Sequence, residues 1–440
     1  MLERAVDTKW ARLIEELELA QVIEDQGYVD ISAEQFKSLD LEIRLMTKID
    51  HSHQRPRVFE ELDVNILTLG RSLWRVGRFE TQTHLPEFNP PSSQVKVKAI
   101  PDFVQSLDPS YLTSEAGVLN AAQLAGIVDD FLEGEYLQTV SGRMSSGDFS
   151  FQLAERGGTT SEIFVSKAQI EIDAGYESPS NLALFEAKIS GATDFCTRQL
   201  YYPFRVWSGK LPRKHVRTVY LSYANQFLDL FEFEFRLPNL YSSSQLIRKQ
   251  RYTLGSALPS AEEVDQLTSQ VVQVTPPKDG GKFIPFPQAD NFERVMDLVG
   301  FIAAGPKTES QISEEYGFVR RQADYYPNAA AYLGLVRKAV AFEGEKVWTA
   351  TPEARRLTAL PLRERSLAFA ELLLSVQPIA DTFQVWRRIG EQPSRDWVVQ
   401  QLASSPFAVQ ENGAKLGSTT ISRRASTVIS WASWLINLRS

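Results

Sequence analysis

The chain holds a single cysteine, Cys196, only four histidines, and no apolar run of about 18 residues. A lone cysteine excludes an internal disulfide and a cysteine-based zinc cluster, and it fits a reducing compartment. The N-terminus, MLERAVDTKW, mixes acids and bases with no hydrophobic stretch. With no long apolar run, neither a secretory signal nor a membrane span is expected, and a cytoplasmic protein is. The phosphate-cradling pattern GxxxxGK[ST] is absent, which argues against an ATP-driven motor. His51 and His53 form a His-x-His pair, but no third ligand stands at a suitable spacing, so zinc is not expected. Asp50 and His51 lie in a basic loop, where they can touch DNA or cap a helix.

At 440 residues the chain exceeds one ordinary core, and two or three domains are expected. Its net charge of -8 disfavours indiscriminate binding of polyanions, because phosphate contacts need Lys and Arg to displace counter-ions. That average conceals a basic stretch. From Phe195 to Leu228 there is no Asp or Glu, while Arg198, Arg205, Lys210, Arg213, Lys214 and Arg217 supply six positive charges.

Residues 1–108 read as an α+β region and a candidate for DNA recognition. Trp10, Leu13, Ile14, Leu17 and Val22 recur at helical spacing, and Ser32 with Gln35 carries a capping-box signature. Two short strands, 66–69 and 73–76, are expected about a turn at Gly70 and Arg71. Residues 109–273 open with one amphipathic helix, predicted over 119–140 and carrying Asp129, Asp130, Glu133 and Glu135. Strand patterns follow at 149–153, 163–173 and 181–189, then a helix over 193–207 and strands at 216–224 and 230–235. This order predicts an α/β core on a mixed sheet. The Pro- and Gly-rich segment 274–288 reads as a linker, and 289–440 is mostly helical.

Side chains alternate along a strand, so Leu184, Glu186 and Lys188 share one face and Phe185, Ala187 and Ile189 the other. Asp173 ends the preceding strand and can approach Glu186 across the sheet. Two hard carboxylate oxygens suit Mg2+, and a neighbouring lysine suits the charge that develops on a phosphate under attack. A third acid from the upstream helix would complete such a site. Glu135 is the first candidate and Glu133 the next. The same three residues can also be the solvent face of a half-exposed sheet, but LALFEAKI is apolar enough for a buried central strand. There a Glu and a Lys are costly without partners.

The run IEIDAGYES-PSN-LALFEAKIS resembles the PD-(D/E)xK nuclease core, and ATDFCTRQLYYPFRVW resembles the helix after it in type II restriction endonucleases. RLMTKIDHSHQRPRVF (44–59) and TVSGRMSSGDFSF (139–151) are similar to segments found in a subset of those enzymes, so the likeness covers roughly residues 1–240. It implies Mg2+-dependent cutting of both strands of duplex DNA at a specific sequence, leaving 5′-phosphate and 3′-hydroxyl ends. Asp173 matches the first carboxylate, Glu186 the second and Lys188 the lysine. Ile172 stands where the motif's name has proline. Gln199 matches a helical Gln near such sites. A homodimer suits a palindromic target. A cognate DNA methyltransferase is expected beside the enzyme in a restriction-modification system. Arg143, in SGRMSSG, can hold a phosphate or lie in a plain turn.

The segment from Phe292 to Thr349 resembles a winged helix, whose third helix would present Arg320, Arg321, Gln322, Tyr325 and Asn328 to DNA, with Pro327 awkward inside it. A dimerisation or scaffold module is the other reading. The last helix carries Arg423 and Arg424 toward DNA, or closes the domain core through Trp431 and Trp434. The expected fold class is therefore α/β, a restriction-endonuclease-like core between an N-terminal α+β region and a winged-helix-like C-terminal domain. Two other functions fit the same features: a non-catalytic, sequence-specific DNA-binding regulator, and a structure-specific repair nuclease.

Overall fold

The computed structural model describes residues 5–91, 94–109, 112–156, 158–189, 191, 193–255, 257–316, 324–340 and 346–439. Its architecture is mixed α/β, with three bodies of core following one another along the chain.

The first body comprises α1 (Ala5–Glu16), α2 (Leu19–Gln26), β1 (Tyr28–Ser32), α3 (Ala33–Ser38), α4 (Ile43–Thr47), α5 (Arg57–Glu61), β2 (Asn65–Thr68) and β3 (Leu73–Gly77). The three strands form one sheet in the order β1-β3-β2. The capping box is present: the Ser32 hydroxyl accepts from Gln35 N–H while the Gln35 side chain accepts from Ser32 N–H. Trp10 meets Phe36 and Phe59 edge-on at 5.6 and 4.5 Å, and these rings nucleate a core that ends at Val76.

The middle body contains β4 (Gln82–His84), β5 (Lys96–Lys98), α6 (Glu115–Leu124), α7 (Ile127–Leu132), β6 (Leu137–Ser145), β7 (Asp148–Ala154) and β8 (Thr160–Ser166). It continues through β9 (Gln169–Glu177), β10 (Asn181–Lys188), β11 (Asp194–Cys196), α8 (Arg198–Lys210), β12 (His215–Ala224), β13 (Phe227–Phe235) and β14 (Ser244–Leu254). Seven strands form the main sheet in the order β5-β14-β13-β12-β10-β9-β6. β10 is antiparallel to β9 and parallel to β12, and α8 makes the crossover that a parallel pair requires. Ala183, Phe185 and Ala187 pack on α6 and α7, while Leu182 and Leu184 pack with Phe204 and Trp207 of α8. Both faces of β10 are covered, which is why LALFEAKI reads as a continuous apolar run. β4 and β5, inside the N-terminal segment 1–108, pair with β11 and β14 of this body.

Local expectations differ from the structure at several places in this body; the helix predicted over 193–207 begins only at Arg198, because residues 194–196 form β11 against β4, and β14 is not among the expected strands. The helix predicted over 119–140 breaks at Gly126 (φ 67°), resumes as α7, and gives way after Glu133 (φ 61°) to β6. Glycine opens the break, and Thr139 and Val140 favour the strand that follows. The strand predicted over 163–173 turns a corner at Lys167 (φ 49°), sending β8 into a hairpin with β7 and β9 into the main sheet. Alternation runs through the corner and hides it. SGRMSSG is largely strand rather than turn, with Gly142 (φ 93°) where the pairing with β9 slips.

The third body gathers α9 (Ala261–Gln270), α10 (Phe292–Ala303), α11 (Glu309–Tyr316), α12 (Tyr325–Tyr332), α13 (Pro352–Thr358), α14 (Leu362–Leu374), α15 (Gln377–Ile389), α16 (Arg395–Ser404) and α17 (Ser418–Arg439). A hairpin of β15 (Lys278–Asp279) and β16 (Lys282–Phe283) lies in the linker segment, whose Phe286 is fully buried and 5.3 Å from the Tyr332 ring. The linker thus packs on this core. The strand pair expected around 336–350 is present as β18 (Val336–Val340) and β19 (Lys346–Ala350), joined on its edge by β17 (Lys307–Thr308). α12 starts at Tyr325, so Pro327 falls in the first turn, where its missing N–H leaves no bond unmade. Among the described residues no helix is long and apolar enough to cross a membrane.

Candidate active site

The expected triad is brought together. Beyond the last β9–β10 pair, Phe185 with Ala174, the Asp173 carboxylate accepts the Ala187 backbone N–H at 2.8 Å. Lys188 Nζ donates to Glu186 Oε1 at 2.6 Å, to the Ala187 carbonyl at 3.0 Å and to Glu115 Oε1 at 3.1 Å. Gln199, near the start of α8, donates through Nε2 to the same Glu186 oxygen at 2.5 Å. This gives Gln199, whose role the sequence leaves open, a definite partner.

Glu186 is 6% exposed, and burial pushes its carboxyl up to about 8 even though Lys188 pulls it down. Asp173 adds to the rise through like-charge repulsion. Burial likewise raises Asp173, against the opposing bond from Ala187. Burial works to lower Lys188, but the contact with Glu186 outweighs it and raises the ammonium above its ordinary value. Three carboxyl groups, two of them raised by burial, thus surround one ammonium at a partly dry site.

The acid that the upstream helix sends to this cluster is Glu115, at the start of α6, rather than Glu135. Glu135 lies exposed in the turn between α7 and β6 because the chain leaves the helix before it, and Glu133 pairs with Arg248 at 2.9 Å. Glu115 follows the cap residue Ser114, where an acid reads as ordinary helix-end chemistry and gives no sign of the site.

Asp194 is a further acid that the sequence does not single out. His51 Nδ1 lies 2.7 Å from its carbonyl oxygen, and Ser52 N–H donates to both carboxylate oxygens at 3.2 Å. Burial pushes the Asp194 carboxyl up, but these bonds and His51 bring it below its ordinary range. The partners are more than 140 residues apart, so local pattern carries no trace of them. His51 and His53 stack at 5.3 Å, and His51 serves this latch.

The basic stretch is partly neutralised in three dimensions. Arg217 forms a buried pair with Glu232 at 2.6 Å, and Lys214 reaches Glu177 at 2.5 Å. Arg198 lies over the Tyr202 ring at 5.9 Å and Arg205 donates to the Pro238 carbonyl at 3.2 Å. Lys210 and Arg213 remain exposed, Lys210 with its ammonium 4.8 Å from the Trp207 ring. Arg143 pairs with Glu171 of β9 at 3.1 Å.

In the third body Asn328 is exposed and Tyr325 half-buried, whereas Arg320, Arg321 and Gln322 lie outside the described residues. Of the two arginines on α17, Arg423 is exposed. Arg424 turns inward, where burial lowers it and Tyr332 and Tyr325 are its electrostatic neighbours. Trp431 is fully buried and donates to the Ala289 carbonyl at 2.8 Å, so α17 closes the core.

As a metal centre the donor set consists of hard oxygens, from Asp173, Glu186 and Glu115 with the Ala187 carbonyl, which suits a small divalent cation. Among the described residues no three His, Cys, Asp or Glu side chains already close on one point. The Lys188 ammonium bonds the Glu186, Glu115 and Ala187 oxygens instead.

Residues 7–76 match the family described as domain of unknown function (DUF6996), residues 78–253 domain of unknown function (DUF6997), and residues 294–440 domain of unknown function (DUF7226). The three stretches follow the three bodies of core. No curated protein and no solved structure matches the chain.

Proposed function

We propose that the chain is a Mg2+-dependent endonuclease of the PD-(D/E)xK type that cuts duplex DNA at a specific sequence, as type II restriction enzymes do. The observation that carries the reading is the juxtaposition of Asp173 with Glu186 and Lys188 at the buried end of a central strand, where Lys188 bridges Glu186 to Glu115. Local order supports it: helix α6, antiparallel strands β6, β9 and β10, crossover helix α8 and parallel strand β12. This succession fits the core that the sequence resembles.

In this reading Asp173 and Glu186 would hold Mg2+, which when bound would supply a Lewis acid for a phosphoryl oxygen and a more acidic water. Gln199 fixes the Glu186 carboxylate, and Lys188 donates to the oxygen on which charge accumulates. Water adds to phosphorus, the bond to the 3′ oxygen breaks, and that oxygen takes a proton, leaving a 5′-phosphate. Lys210, at the end of α8, and Arg213, just after it, are exposed and supply phosphate contacts.

The third body reads DNA in a winged-helix manner, with Tyr325, Asn328 and Arg423 available from α12 and α17. The chain acts as a homodimer on a palindrome, beside a methyltransferase that protects the same sequence. Incubating the full chain with phage or plasmid DNA and Mg2+ tests the reading. Discrete fragments support it; intact DNA, or nicking that follows DNA branching rather than sequence, overturns it.

A further inference from the structure

The loop that latches onto Asp194 also carries an acid that the triad does not include. Asp50 has a side chain 14% exposed and pairs at 3.5 Å with Lys48, whose own side chain is largely solvated. Gln54 Oε1 accepts the N–H of Asp50 at 2.8 Å, and the adjoining His51 and Ser52 are fastened to Asp194, so the position of the loop is fixed. From there the charge of Asp50 acts on Glu186, Arg198 and Tyr220.

Tyr220 provides a second, independent observation. It sits on β12 in register with Glu186, its ring stacked on Phe195 at 4.5 Å, and it is 0% exposed. Its hydroxyl has no hydrogen-bond partner. The charged groups acting on it are Lys188, Glu186, Asp194 and Asp50. A buried hydroxyl left unpaired is costly, so a group that bonds it on binding recovers that free energy. Burial keeps the phenol protonated, and it therefore offers a donor.

We propose that the divalent-cation site is composite: Asp50, from the first body of the chain, faces Glu186 across it, and the Tyr220 hydroxyl donates to a water in the cation's shell. The proposal rests on the reading of Asp173, Glu186 and Lys188 as a cation-dependent centre. It gives the first body a part in the chemistry, because the latch of His51 and Ser52 on Asp194 then sets the position of a metal-facing acid.

The test is titration of the full chain with Mn2+ followed by calorimetry, on wild type, Asp50→Asn, Tyr220→Phe and, as a reference, Asp173→Asn, with thermal melting of each protein to verify folding. Wild type binds Mn2+, Asp173→Asn loses binding, Asp50→Asn weakens it tenfold or more, and Tyr220→Phe weakens it a few-fold. Binding lost in Asp173→Asn but unchanged in a folded Asp50→Asn overturns the composite site and leaves the triad standing. Wild type that binds no Mn2+ overturns both. Asp50→Glu, which keeps the charge on a longer arm, separates a lost ligand from a shifted loop: it restores part of the affinity if the proposal holds, and none if Asp50 only shapes the loop.

Discussion

Asp173 takes the backbone N–H of Ala187 where the β9–β10 ladder ends, so one carboxylate both closes the sheet and faces the candidate site. These two duties separate by substitution. Asp173→Ala leaves a buried N–H without an acceptor and is expected to cost about 1–3 kcal/mol. Asp173→Asn keeps an acceptor oxygen and is expected to stay within about 1 kcal/mol of wild type while losing cation binding. Urea denaturation beside a Mn2+ titration checks both. Equal loss of stability in the two variants would contradict the assignment of that bond.

Glu186 predicts a pH dependence with a definite sign. Its carboxyl rises from 4.5 to about 8 on folding, so the folded chain holds this proton more tightly than the unfolded chain does. The stability it contributes is fully present below about 4.5 and is lost as pH climbs through about 8. Without divalent ions, the melting temperature of wild type should therefore fall between these limits relative to Glu186→Gln. Added Mg2+ should reverse the fall at the upper end, because a cation competes with the proton. Parallel melting curves for the two proteins across the window would rule this out.

The triad was legible because its residues lie on one strand and the next, where the period of two places them without knowledge of the tertiary fold. Residues that depend on distant pairing were not. Asp194 is made part of the site by a loop at residues 50–54, and Tyr220 by its parallel register with Glu186. Glu115 hides behind ordinary cap chemistry, and Glu135 stands out in the sequence because the helical period runs on through Gly126, where the chain breaks. The acid-free run 195–228 overstated free charge, since Glu177 and Glu232, outside it in sequence, neutralise Lys214 and Arg217. Most strands of the middle body were readable from alternation. The corner at Lys167 was not, because alternation continues across it.

Arg251 ties the middle body to the third. It is 4% exposed and bonds Asp229 of β13 at 2.7 Å and Glu293 of α10 at 2.6 Å. Arg251→Ala strands two carboxylates at this junction and is expected to destabilise the chain by about 3–5 kcal/mol. Adding Glu293→Gln should recover part of the loss. Chemical denaturation of the single and double variants measures the coupling, and strictly additive losses would show that the bridge is idle.

Among the described residues Gln199 bonds the site through Glu186, so Gln199→Leu should leave substrate affinity nearly unchanged. Turnover should fall on the order of tenfold, as for other partners of a ligating carboxylate. The lost hydrogen bond favoured the ionised carboxylate, so the acid limb of the pH profile should move upward. A fall in turnover with an unmoved profile would assign Gln199 to packing alone.

The central claim is that this centre cuts DNA, and the most direct measurement compares wild type with Lys188→Met on duplex DNA in Mg2+. The account predicts discrete fragments with 5′-phosphate ends from wild type. From Lys188→Met it predicts cutting slower by a factor of at least about 10², with Mn2+ binding retained. Wild type that leaves the duplex intact, or a variant that cuts as fast as wild type, would contradict it.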